Sequence, residues 1–94
     1  MRYNISCTKQ SKYGSEMVFE VAMAKNTRVF LVNEDSLIVP LDGKAMSSRL
    51  VEALCEQLAW REYDKHWFIN QQRALTSIDI KIANEQLDSI EWDE

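Results

Sequence analysis

The one histidine in this sequence, His66, stands among Trp60, Tyr63, Trp67 and Phe68, and the two cysteines, Cys7 and Cys55, lie far apart. A cysteine–histidine nucleophile pair needs the thiol and imidazole within hydrogen-bond reach and a third group to orient the ring. On a continuous helix His66 falls three turns beyond Cys55, so only a bent helix or Cys7 could supply that contact. No motif surrounds either cysteine. A thiol-dependent enzyme is therefore the remotest reading, and two reduced thiols packed as small hydrophobes are the default.

Metal and phosphate chemistry have less support still. One histidine and two isolated cysteines cannot close a zinc site without carboxylates. The run Asn33, Glu34, Asp35, Ser36 could hold a hard cation loosely, but it lacks the spaced oxygens and turn glycine of a calcium loop, and hairpin-turn chemistry accounts for it. Gly14 and Gly43 are the only glycines, too few for a phosphate-cradling loop. The expectation is a protein with no cofactor, no metal and no catalytic residues.

The aromatic cluster is the signal that remains. Trp60, Tyr63 and Trp67 recur at helical spacing on the side opposite Leu50, Leu54 and Leu58. They either fill a core or, flanked by Arg61 and Arg73, form a contact surface. Trp, Tyr and Arg are the types enriched at interface hot spots. A homodimer or another protein partner would cover such a face.

Charge sets the remaining bounds. The chain of 94 residues has a formal net charge of −4, with 46% apolar and 28% charged residues, the balance of a single globular domain. The last eleven residues hold Glu85, Asp88, Glu91, Asp93 and Glu94 and no base. This acidic patch is either a solvated face or a surface that docks on a basic partner. In its sharpest form it is an inhibitor that mimics nucleic-acid charge and blocks a basic groove. Direct binding to nucleic acid is disfavoured, because it needs clustered Lys and Arg. The start lacks a secretory h-region, and the longest apolar runs, 29–32 and 37–41, are far short of the ~20 residues that span a bilayer. The expected setting is the cytoplasm, with no membrane partner. Size and acidity suit small accessory or mobile-element proteins of prokaryotes.

The elements that must position these residues change character at 40–43. Before it, Tyr3, Ile5, Cys7 and then Met17, Phe19, Val21, Met23 alternate at strand spacing. Residues 29–32 are apolar on both faces, which places that strand inside the sheet, and Pro40 sends the fourth strand to an edge. Gly14 is available for a positive φ in the first turn. Short connections predict an antiparallel meander over a β-rich 1–42.

Residues 44–94 read as mainly helical. Ser47 and Ser48 offer caps for a helix with the stripe Leu50, Val51, Leu54, Cys55, Leu58. The stripe then fails. Either the chain breaks near 61–64 and restarts with Asp64 as cap, or one long helix carries an aliphatic and an aromatic face. Beyond Leu75, Ile78, Ile80 and Ile82 alternate like a strand, while Thr76 and Asp79 form a capping-box pattern. The balance tips to a fifth strand at 77–82, followed by a helix over 84–92. The predicted class is α+β: a four- or five-stranded, mainly antiparallel meander with two or three helices packed on one face.

Overall fold

The computed structural model describes residues 3–61 and 63–93. Five strands and three helices follow one another as β1 (Asn4–Ser11), β2 (Met17–Ala22), β3 (Thr27–Val32), β4 (Ile38–Pro40), α1 (Ser48–Ala59), α2 (Lys65–Gln71), α3 (Ser77–Ser89) and β5 (Trp92–Asp93). All strand pairs are antiparallel, and the sheet order is β4-β3-β2-β1-β5. The α+β class and the meander stand as the period change predicts.

The sheet has two apolar faces, and each has its own cover. Met17, Phe19 and Val21 of β2, Phe30 and Val32 of β3 and Ile38 of β4 meet Leu50, Leu54, Cys55 and Leu58 of α1 and Phe68 of α2. These side chains point one way because strand side chains alternate. Their neighbours Val18, Leu31, Leu37 and Val39 point the other way, against Ala83, with Ile80, Leu87, Leu75 and Trp92 packed around them. So α1 and α2 share one face, and α3 lies on the other. This corrects the expectation that every helix packs on a single face. The continuous apolar run 29–32 requires two covers, since a bare second face would leave Leu31, which is fully buried, in water.

The helix starts follow from local chemistry. Ser47 Oγ accepts the Leu50 N–H at 3.2 Å and begins α1. The chain then breaks rather than running on. Asp64 Oδ1 accepts the N–H groups of His66 and Trp67 and starts α2 in a new phase, which returns Phe68 to the core. At α3, Thr76 Oγ1 accepts the Asp79 N–H at 3.3 Å, and the Asp79 carboxylate accepts the Thr76 N–H at 2.8 Å. Arg73 donates to both oxygens of the same carboxylate, at 2.8 and 3.1 Å, and holds its pKa far below the usual range.

This capping box corrects the strand expected at 77–82. The segment is the first half of α3, and the predicted start of a helix at Asn84 disappears into it. Only Ile80 of the three isoleucines packs inward, with Ala83 and Leu87 at helical spacing; Ile78 and Ile82 face solvent. The fifth strand is instead the two-residue β5, paired with Gln10 and Ser11. Left-handed backbone is found at Ser36 (φ 67°) and Gly43 (φ 73°), so the expected positive φ at Gly14 is not used.

The two margins of the sheet differ. On β4, Gln72 Oε1 accepts the Ile38 N–H at 2.9 Å and Gln72 Nε2 donates to the Ile38 carbonyl at 2.8 Å. Pro40 has no N–H to offer, and its carbonyl accepts the Gly43 N–H at 3.1 Å. On β1, β5 covers only Gln10 and Ser11, and among the described residues no strand pairs the outer side of residues 4–9. A register shift at Thr8 bends that strand.

Candidate functional site

The end of α1 and the start of α2 set the aromatic residues. Trp60 is the C-cap of α1, one residue past its last turn, and 77% of its surface is exposed. Tyr63 lies between the helices, 44% exposed, with its ring edge-to-face on buried Phe68 at 5.6 Å. Trp67 sits in the first turn of α2 and is 54% exposed, while its neighbour Phe68 is buried. None of the three belongs to either core cluster. An exposed indole costs free energy that a partner surface would recover.

Trp67 is the most firmly held of the three. Its indole Nε1–H donates to Ser36 Oγ at 3.1 Å, across to the β3–β4 turn. That turn is itself fixed. Asn33 Oδ1 accepts the N–H groups of Asp35 and Leu37, both at 3.0 Å, and the Ser36 N–H donates to the Asn33 carbonyl. Around the indole opens a shallow cavity of about 400 Å³, lined by Glu34, Asp35, Leu37, Trp67, Gln71 and Arg73.

The two arginines do not flank this surface together. Arg73 lines the Trp67 cavity, though its guanidinium is engaged by Asp79. Arg61 lies toward the opposite margin of the sheet, lining a cavity with Cys7, Thr8, Lys9, Gln10 and Asp93. The acidic residues are spread along α3 and β5. Glu85, Asp88, Glu91 and Asp93 are all exposed, and Glu94 lies outside the described residues. Bases lie close to this end: the Lys12 N–H donates to the Glu91 carbonyl, and Lys9 Nζ stands 6.0 Å from the Trp92 ring centroid. Spacing along the chain does not announce either lysine as a neighbour of the tail.

The reactive side chains are placed apart. Cys55 is fully buried under α1, and burial pushes its thiol up to about 11. Both cysteines are free thiols, and Cys7 Sγ donates to the Lys9 carbonyl at 3.5 Å. His66 is exposed at the start of α2, and no hydrogen bond joins it to either thiol among the described residues. The side-chain oxygen of Asn33, a candidate cation ligand by composition, is spent on the turn. Among the described residues no group of three or more His, Cys, Asp or Glu could hold a metal ion. Among them also, no helix is long and apolar enough to cross a membrane.

Residues beside Trp67 that sequence reasoning missed are Ser36, Glu34 and Asp35, brought from the β3–β4 turn, and Gln71, one turn further along α2. The turn composition of 33–36 marks the loop but not its neighbour. No protein-family model matches the chain, and no curated protein or solved structure matches it either.

Proposed function

We propose that this chain is a small non-catalytic protein-binding module that works in the cytoplasm, as a homodimer or an adaptor, through the aromatic surface at the α1–α2 junction. The observation that carries this reading is the exposure of Trp60 and Trp67, which belong to neither of the two core clusters. Large aromatic side chains bury much area with few rotatable bonds, so they bind with little ordering cost. The indole of Trp67 is held in place before any partner arrives, which lowers that cost further. Two free thiols suit a reducing compartment.

The test replaces Trp60 and Trp67 together by Ala and follows self-association by light scattering and partner capture from lysate. The doubly substituted protein keeps its far-UV spectrum and loses association, and added salt changes the wild-type association little. Association that survives the substitution, or a variant that unfolds, overturns the reading. The rival reading, an acidic charge mimic, predicts the reverse: binding that falls steeply with salt and with neutralisation of Glu85, Asp88, Glu91, Asp93 and Glu94.

A further inference from the structure

The Trp67 cavity has a charge pattern that selects among partners, and its role as a receptor rests on the docking function proposed for this face. We propose that this cavity takes a cationic side chain, an arginine above all, presented by the partner protein. Glu34 and Asp35 are consecutive, exposed and on the cavity wall with the indole. Neither stands within ion-pair distance of a base among the described residues, although Arg73 lies near enough to feel the Asp35 charge. Arg73 shares the wall, but two of its guanidinium nitrogens are spent on the Asp79 carboxylate and the Ala74 carbonyl. The local charge left for a visitor is negative.

The aromatic residue points to the same chemistry. A guanidinium stacks on an indole face and also donates in a fork that matches a carboxylate, which an ammonium does less well. Elsewhere the molecule supplies its own cations to rings: Lys9 at Trp92, Lys12 at Tyr13 and Arg28 at Phe30. Among the described residues no basic group stands over Trp67, although two carboxylates wait beside it. The bond from Nε1 to Ser36 ties one edge of the ring to the turn, and the Asn33 side chain holds the backbone that carries both acids. An arginine side chain entering here meets a tethered stacking surface, with two exposed carboxylates on the same wall.

The experiment titrates the ¹⁵N-labelled protein with N-acetylarginine amide, and separately with the citrulline analogue, which has the same shape and no charge. The arginine compound gives a saturable shift of the Trp67 indole N–H and of the 34–36 amides; citrulline does not. Glu34→Gln with Asp35→Asn weakens the arginine binding about tenfold, because charged acceptors become neutral ones, while the remaining spectrum is unchanged. Equal shifts from both compounds, or an unaltered affinity in the double variant, overturn the receptor. In partner capture, the same double variant separates the two ideas. Capture lost with Trp67→Ala but kept with Glu34→Gln and Asp35→Asn leaves the docking surface standing and removes its preference for a cation.

Discussion

Gln72 imitates a strand, and removing it should cost a large share of the stability of this domain. In Gln72→Ala the N–H and carbonyl of Ile38 both lose their partner. Ile38 is fully buried, so water does not simply take over. Leaving a buried backbone group unpaired costs about 1–3 kcal/mol. Two groups at the sheet margin, where some solvent can reach, give about 2–4 kcal/mol. A domain this small has roughly 5–14 kcal/mol in total. The midpoint of thermal unfolding should fall by roughly 10–30 °C. Urea unfolding followed by far-UV circular dichroism measures the loss, with hydrogen exchange at the Ile38 amide as a local readout. Gln72→Glu sharpens the test. A carboxylate accepts the Ile38 N–H but repels the Ile38 carbonyl, whereas the protonated acid restores both bonds. The folded variant therefore holds the proton of the introduced carboxyl more tightly than its unfolded chain does. The contribution of that group is complete below the unfolded glutamate pKa of about 4.3 and disappears as pH rises through the higher folded value. A loss under about 0.5 kcal/mol in the alanine variant, or no difference in pH response between Gln72→Glu and wild type, refutes the strand-mimic account.

Two further outcomes follow from the electrostatics. Arg28 grips Asp42 at 2.9 and 3.1 Å and donates to the carbonyls of Lys44 and Ala45, and the guanidinium hydrogen bond holds the Asp42 carboxyl below its ordinary value. That stabilisation, about 1 kcal/mol after allowance for partial solvent contact, is complete above pH ~4 and fades as pH falls through the depressed folded pKa. Asp42→Asn should flatten the acid limb of the stability curve measured by urea midpoint, and an unchanged limb counts against it. Cys55, with its thiol at about 11 under full burial, should react with iodoacetamide only as fast as the slowest core amides exchange. Labelling at the rate of a surface thiol would mean that α1 opens far more easily than its packing implies.

The fold is most legible in the sequence where periodicity is local. Met17, Phe19 and Val21 alternate, and they line one face of β2. The loss of phase after Leu58, with Asp64 as a ready cap, allows either a break or one long two-faced helix, and the structure takes the break. Ile78, Ile80 and Ile82 mislead because three β-branched residues alternate there, yet two of them are simply exposed on a helix. The capping box at Thr76 and Asp79 is equally visible, and its hold is strengthened by Arg73, a partner that spacing does not announce. The exposure of Trp60 agrees with the phase of α1, whereas Trp67 belongs to a helix that restarts in a phase of its own. The surroundings of Trp67 cannot be read from phase, because Ser36 is brought to it from a turn 31 residues away. Gln72 and Ile38, 34 residues apart, meet without any periodic signature in the same way.

The unequal margins of the sheet bear on any edge-to-edge joining of copies of this chain. One border is closed by an amide side chain, a proline and a glycine N–H; along the other, among the described residues, no strand pairs residues 4–9. Ribbons that grow without limit need two sticky borders per unit. A molecule with one such border, joined there to a twin, would leave no second open edge among its described residues for a further copy to extend.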